Sequence, residues 1–175
     1  MIRFIVAAMV ALAAAPVSAE TDQTPPACAP LVGTFLMTKS DTSGRSVGIT
    51  GRVLLSLNSN GEALMSDSAQ GGSPNYQAFG VEHGNWTCEA NADGTLKLEA
   101  TMVDFTYPST QFPKAQIGRV EVTATLAADK TELKGRTSVN LYDLMDDPFS
   151  GAPPKQTVSY TFKGKKVLSG STKRP

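Results

Sequence analysis

Few side chains in this sequence can do acid-base or nucleophilic chemistry. His83 is the one histidine among 175 residues, so any mechanism that needs an imidazole base must use it. Asp104 and Tyr107 lie in and after a run of alternating apolar residues, and either could exchange a proton with a bound substrate. We therefore name Asp104, Tyr107 and His83 as candidate acid-base residues. For His83 the simpler alternative is a solvent-facing loop side chain.

The densest group of oxygen ligands is the acidic run Asp143, Asp146 and Asp147. Carboxylates at this density could hold Ca²⁺, but their spacing matches no calcium loop, and no glycine lies where such a loop would turn. A solvated acidic loop is the better interpretation. One histidine and two cysteines also exclude multi-histidine and four-thiolate metal sites. We predict no metal and no cofactor.

The charge balance excludes two classes of partner. The chain carries 16 basic and 16 acidic residues, for a formal net charge of +0. A neutral chain has no general attraction for nucleic acid or for an anionic membrane surface. With 41% hydrophobic and 18% charged residues, it should instead fold around an apolar core.

Residues 1–19 have the three parts of a bacterial signal peptide. Arg3 is followed by a short apolar run at 4–15 and by the small residues Val17-Ser18-Ala19. The apolar run is too short to span a bilayer. Glu20 occupies the position where a lipoprotein needs cysteine. We expect an exported protein, periplasmic or secreted, without a membrane anchor.

Export makes a disulfide between Cys28 and Cys88 the expected state of the two cysteines. The alternative is two free thiols. The bond would tie an N-terminal arm, residues 20–30, to the body of the fold. Because no Cys-x-x-Cys spacing is present, we expect a structural rather than a redox role.

Apolar residues alternate with polar ones through most of the chain after the signal. Val120, Val122, Ala124 and Leu126, for example, are separated by charged residues and threonines. This period of two is typical of antiparallel strands with one buried face, and it predicts an all-β fold. The predicted strands cover 31–38, 47–58, 62–68, 84–90, 95–105, 116–126, 133–142 and 156–167.

The connections alternate strictly between short and long. Tight turns are predicted at 58–61, 91–94 and 127–132, the first two ending in Asn-Gly and Asp-Gly. In an up-and-down barrel, alternate connections lie at the same end, so all four long loops should share one mouth. A sandwich, or an independent strand at 76–82, remains the alternative. The long connections are 39–46, 69–83, 106–115 and 143–155. The predicted divisions are a signal peptide (1–19), an arm (20–30), one barrel domain (31–168) and a polar tail (169–175).

The eight-strand pattern resembles the calycin group of lipocalin-like barrels. Lipocalins begin their first strand with Gly-x-Trp, and this chain has Gly33-Thr34-Phe35 there. A literal Gly-x-Trp, Gly84-Asn85-Trp86, lies in the middle of the chain. These runs also resemble uncharacterised exported bacterial proteins of calycin-like type. The resemblance covers about 31–167 and implies an eight-stranded antiparallel up-and-down barrel with a cup.

Such a cup predicts binding of a small hydrophobic molecule. Eight strands leave an interior that side chains can just fill, or that can hold one small ligand, so a hollow and a plugged barrel both stay open. One alternative function is a barrel-type cyclase or isomerase acting on an apolar substrate. Another is a periplasmic protein-binding module, such as a protease inhibitor, that uses residues 20–26. The predicted ligand-binding residues are Phe35, Leu55, Tyr76, Leu98, Met102, Val122, Tyr160 and Phe162.

Overall fold

The computed structural model describes residues 24–42, 50–74 and 76–168. The predicted signal peptide, the first residues of the arm and the tail from 169 lie outside the described residues. The described chain contains one short 3-10 helix, Pro26–Leu31, and nine strands. The strands are β1 (Gly33–Asp41), β2 (Thr50–Leu57), β3 (Glu62–Asp67), β4 (Ala78–Phe79), β5 (Glu82–Ala90), β6 (Leu96–Tyr107), β7 (Gln116–Leu126), β8 (Leu133–Asp143) and β9 (Gln156–Lys166).

Eight of these strands close into an antiparallel up-and-down barrel, which confirms the predicted fold class. Each barrel strand pairs with the next one in the chain, and β9 pairs back onto β1. The strand β4 lies outside this cycle, because its two residues pair only with the end of β6. An additional strand between 76 and 82 therefore exists without disturbing the alternation of the connections.

Side-chain alternation follows the predicted period of two. Along β6, every second residue from Leu96 to Thr106 is buried, while Glu99, Thr101 and Phe105 between them are exposed. The buried face points into the barrel. Each strand thus contributes one inward row of side chains, and the sequence of that row decides what fills the interior.

The tight turns and the long connections lie at opposite ends of the barrel, as predicted. The register places Gly33 opposite Leu57 and Leu96 opposite Leu126, next to the tight turns. We call this end the turn end, and we call the other end the mouth. Gly61 and Gly94 complete two of the turns with φ of 86° and 80°, a region that favours glycine. Residues 43–49 of the first long connection lie outside the described residues.

The 3-10 helix closes the turn end. Leu31 is fully buried, and Cys28 is 2% exposed. The sulfurs of Cys28 and Cys88 are at bonding distance, with Cα atoms 6.1 Å apart, so the predicted disulfide is confirmed. Trp86 packs beside them, and its indole N–H donates to the carbonyl of Asn58 at 2.9 Å. The first strand begins at Gly33, two residues later than predicted, because residues 26–31 form this closure.

The 3-10 helix is only six residues long. Within the described ranges, no helix has the length and apolar composition needed to cross a bilayer.

Candidate functional site

The barrel interior is divided between a packed half and an open half. At the turn end, inward side chains pack together in one apolar cluster, and most are less than 5% exposed. At the mouth, the same eight strands enclose a cavity of about 380 Å³. We call this cavity the cup. The packed half contains, among others, Phe35, Met37, Leu55, Leu57, Leu98, Met102, Val120, Val122, Leu126 and Leu133.

Most of the cup wall is apolar or aromatic. Tyr160 and Phe162 come from β9, while Tyr76 and Phe79 come from the connection between β3 and β5, which folds towards the cup. That connection is held in place by Gln77, whose amide donates to the carbonyls of Tyr107 and Lys114 at 2.9 and 2.8 Å. The other apolar lining residues are Val53, Met65, Ala69, Phe112, Val139, Leu141 and Val158.

Four acidic or basic side chains of the described chain also line the cup. They are Lys39, Asp67, Glu82 and Asp104, carried by β1, β3, β5 and β6. Lys39, Glu82 and Asp104 are each no more than 5% exposed, and the side chain of Asp67 is 6% exposed. Charged residues are almost never buried to this degree unless they are paired. Their partners therefore decide what the cup can bind.

Lys39 and Asp67 satisfy each other. The ammonium of Lys39 forms an ion pair with the Asp67 carboxylate. It also lies 4.3 Å from the centre of the Tyr160 ring, a cation–π contact. Asp67 in addition accepts from the backbone N–H of Ala69 at 2.8 Å. The ion pair as a whole carries no net charge.

Glycines on the neighbouring strands make room for two of the buried charges. Gly51 lies directly across from Lys39, and Gly118 lies directly across from Asp104. A methyl group on Gly51 would overlap the Lys39 side chain, and one on Gly118 would overlap the Asp104 carboxyl. Each charged side chain thus occupies space that any larger residue on the next strand would take.

Glu82 and Asp104 are the two carboxyl groups of the described cup lining that form no ion pair. The Oε2 atom of Glu82 and the Oδ1 atom of Asp104 are buried without a hydrogen-bond partner. Desolvation by burial raises the pKa of Glu82 from 4.5 to about 8, and the nearby charges of Asp104 and Asp67 add to this increase. Burial likewise raises the pKa of Asp104 from 3.8 to about 6. Near pH 7, Asp104 is therefore mostly ionised and Glu82 mostly protonated.

The structure separates the three predicted acid-base residues. Asp104 lines the cup, but Tyr107 is 55% exposed and does not line it, and His83 lies on the outer face of β5. The period of two explains this result, because an inward Asp104 forces Tyr107 outward, and an inward Glu82 forces His83 outward. Neither Tyr107 nor His83 is among the described residues that line the cup.

The predicted ligand-binding residues divide between the two halves. Tyr76, Tyr160 and Phe162 line the cup. Seven of the eight lie in predicted strands and Tyr76 lies in a predicted long connection, but the alternation does not show where the packed half ends. The remaining five, Phe35, Leu55, Leu98, Met102 and Val122, belong to the packed half beneath the cup.

Sequence reasoning missed Lys39, Asp67 and Glu82 as members of the site. The predicted first strand ends at 38 and the predicted fourth begins at 84, which places Lys39 and Glu82 in loops. The signal was present in the alternation. Lys39 has the parity of Phe35 and Met37, and Glu82 has the parity of Trp86 and Cys88. Extending each inward row by one step would have brought both charges into the barrel.

The acidic loop between β8 and β9 lies along the outer wall of the barrel. Asp143 forms an exposed ion pair with Lys155 at 3.1 Å, and the carbonyl of Pro148 accepts from Arg119 on the outer face of β7. Phe149 lies 6.0 Å from the Arg119 guanidinium and is 60% exposed. In the described part of the chain, no three histidine, cysteine or acidic side chains are grouped closely enough to hold a metal ion.

Comparisons of the chain with protein-family models, with curated proteins and with solved structures find no match. The likeness to lipocalin-like proteins therefore stays a prediction from the residues quoted above. The geometry of the cup carries the functional argument.

Proposed function

We propose that this protein binds a small hydrophobic molecule in the cup. The observation that carries the proposal is the cavity of about 380 Å³ enclosed by mostly apolar and aromatic side chains at the mouth. Ligand pockets have volumes of about 300–1,000 Å³ and are lined mainly by such side chains, with a few polar groups that orient the ligand. The cup has all of these properties and is at the small end of the range.

The packed turn end supports this proposal because it makes the cup a preformed site. The disulfide, the 3-10 helix and the filled lower interior hold the strands in one arrangement. A ligand that enters a preformed cavity has little ordering cost to overcome. The disulfide also suits an oxidising compartment, so we include export to the periplasm or beyond in the proposal. Mass spectrometry of the mature protein from its native host should then find Glu20 at the N-terminus.

A titration with the neutral fluorescent dye N-phenyl-1-naphthylamine tests the binding function. The unchanged protein should enhance the dye's fluorescence with a saturable, one-site curve. Val158→Trp should abolish this binding, because Val158 faces the cup and the larger ring would fill much of it. Val139→Phe provides a second filling variant from the neighbouring strand.

The matched control is Thr161→Trp on the outer face of the same strand. Thr161 is exposed and borders a separate groove between strands. Its substitution should leave dye binding unchanged. If Thr161→Trp abolishes binding while the two cup-filling variants retain it, the dye binds outside and the proposal is contradicted. Thermal unfolding of each variant verifies that the barrel is intact.

Proton-transfer catalysis is a second candidate function, favoured by the two carboxyls of the cup. Glu82 and Asp104 have different raised pKa values, which is how one site can hold an acid and a base together. If the protein is an isomerase, the Asp104 carboxylate would remove a proton from the carbon beside a carbonyl group. The protonated Asp104 or Glu82 would then return a proton to the far carbon of the double bond. Conversion of 3-cyclohexenone to 2-cyclohexenone, followed by absorbance, should then be faster with the unchanged protein than with Asp104→Asn. Equal rates would contradict this candidate.

The structure lends less support to a protein-binding module that inserts its N-terminal arm into a partner. Residues Pro26–Leu31 close the turn end, and the hydroxyl of Thr24 donates to the carbonyl of Ser59 at 2.8 Å. This part of the arm is therefore used within the fold. A protein partner stays an alternative for residues 20–23, which lie outside the described residues.

A further inference from the structure

The charges of the cup are unequal in number. The described lining contains three carboxyl groups, from Asp67, Glu82 and Asp104, and one ammonium, from Lys39. Lys39 is ion-paired with Asp67, and among the described residues neither Glu82 nor Asp104 forms an ion pair. The cup therefore has an excess of acidic groups over basic groups.

An isolated carboxyl group in an apolar interior is costly to maintain. Burying an ionisable group without a partner destabilises the folded state, and proteins normally pair such groups or hydrogen-bond them. Glu82 and Asp104 each keep one buried oxygen atom without a partner. Gly118 leaves the space that the Asp104 carboxyl occupies. Both residues line the cup, so a bound molecule that supplies hydrogen-bond donors would offset part of this cost.

The rest of the wall suits a cation with an apolar body. Aromatic rings from Tyr76, Phe79 and Phe112 line the cup on the side of the connections. Ring faces attract ammonium groups, and Lys39 already makes such a contact with Tyr160. A fatty-acid carboxylate would lack this attraction and would add a fourth carboxyl to the same cavity.

We propose that the ligand of the cup is a hydrophobic amine, and that its protonated nitrogen donates hydrogen bonds to Glu82 and Asp104. This inference rests on the proposed binding function and specifies the class of ligand. The apolar body of the amine would lie against Val139, Val158 and Phe162. Asp104 supplies the negative charge near pH 7, because its pKa is raised only to about 6. The other titratable groups that line the cup are Lys39, Asp67, Glu82, Tyr76 and Tyr160.

Calorimetric titration with three molecules of the same chain length tests the proposal. The probes are 1-octylamine, 1-octanol and octanoate at about pH 7.5. We expect octylamine to bind at least about tenfold more tightly than octanol, since hydrogen bonds to a charged group are worth about that factor or more. Octanoate should bind more weakly than octanol because of repulsion by Asp104.

Substitutions identify the groups responsible. Asp104→Asn should weaken octylamine binding at least about tenfold and lower the ratio of octylamine affinity to octanol affinity by a similar factor. The double variant Glu82→Gln, Asp104→Asn should remove the preference for the amine altogether. Glu99→Gln is the matched control, because Glu99 lies on the outer face of β6, paired with Lys97 at 2.7 Å. It should leave the binding of all three probes unchanged.

The outcomes separate this proposal from the binding function. Tight octylamine binding that depends on Asp104 supports both. If octanol binds but octanoate binds as well as octylamine, the amine proposal is overturned and the binding function stands. Octylamine binding that is unchanged in the double variant would also overturn the amine proposal and leave the binding function standing. If no probe binds, both proposals fail.

Discussion

The two halves of the barrel interior are built from the same eight strands, but they are filled differently. At the turn end, the inward positions carry Leu, Val, Phe and Met, and the helix Pro26–Leu31 seals the opening. At the mouth, the inward positions of the same strands carry Lys39, Glu82 and Asp104, which surround a cavity of about 380 Å³. The strand pairing is continuous from one half to the other. Residue type along each inward row therefore accounts for the difference.

This difference divides stability and function between the two halves. Burial of apolar side chains at the turn end supplies most of the hydrophobic stabilisation, together with a disulfide that constrains the unfolded chain. The mouth contains buried carboxyls that cost stability unless a ligand pairs with them. Sites that bind ligands often carry such a cost. Substitutions in the two halves should therefore have opposite consequences.

The largest expected effect comes from removing a packed side chain at the turn end. Leu98 is fully buried, so Leu98→Ala should leave a void and lower the free energy of unfolding by about 2–5 kcal/mol. Val158→Ala at the mouth is the comparison, because it only enlarges a cavity that already exists. Val158→Ala should lower the free energy of unfolding by less than half of the loss expected for Leu98→Ala. Urea unfolding of both variants measures the difference, and equal losses would contradict the division into a packed and an open half.

Removing the disulfide should have the next largest effect. The double variant Cys28→Ser, Cys88→Ser releases a closed loop with a sequence separation of 60. We expect a loss of about 2–4 kcal/mol in the free energy of unfolding. Dye binding at the mouth should persist wherever the barrel stays folded, because the bond lies at the other end. A variant that unfolds at the same urea concentration as the unchanged protein would show that the bond does not stabilise the fold.

The smallest effect, and the most diagnostic, depends on pH. The pKa of Glu82 is about 8 in the folded state and 4.5 as its ordinary value. The folded protein therefore holds this proton more tightly than the unfolded chain does. Its contribution to stability is complete below about pH 4.5 and is lost as the pH rises through 8. Asp104 acts in the same direction, with the loss centred lower, because its folded pKa is about 6.

Glu82→Gln tests this dependence, because glutamine resembles the protonated acid at every pH. Near pH 4 the variant and the unchanged protein should be equally stable. Near pH 9 the variant should be the more stable, because the unchanged protein then carries a buried charge on Glu82. Glu99→Gln, on the outer face, should show no such gain. Parallel stability curves for Glu82→Gln and the unchanged protein from pH 4 to 9 would mean that Glu82 is not buried in an apolar environment.

Much of the fold could be predicted because its signals are local. Alternation of apolar and polar residues marks a strand wherever it occurs, and Asn-Gly and Asp-Gly pairs mark tight turns. The regular order of short and long connections then places the four long connections at one end. The disulfide followed from the count of two cysteines in a chain expected to be exported. The predicted strand ends were less accurate than the strands themselves. For this reason the predicted site lacks Lys39 and Glu82.

The sequence by itself determined the strands, their inward faces, the disulfide partners and the end of the barrel that carries the mouth. Only the tertiary structure decided where the packed half stops, because filling depends on which inward rows meet across the barrel. It also brought Asp67, Glu82 and Asp104, which lie far apart in the chain, into one cavity. Strand register and barrel closure determine which inward side chains lie next to one another. Such long-range pairings leave no local pattern in the sequence.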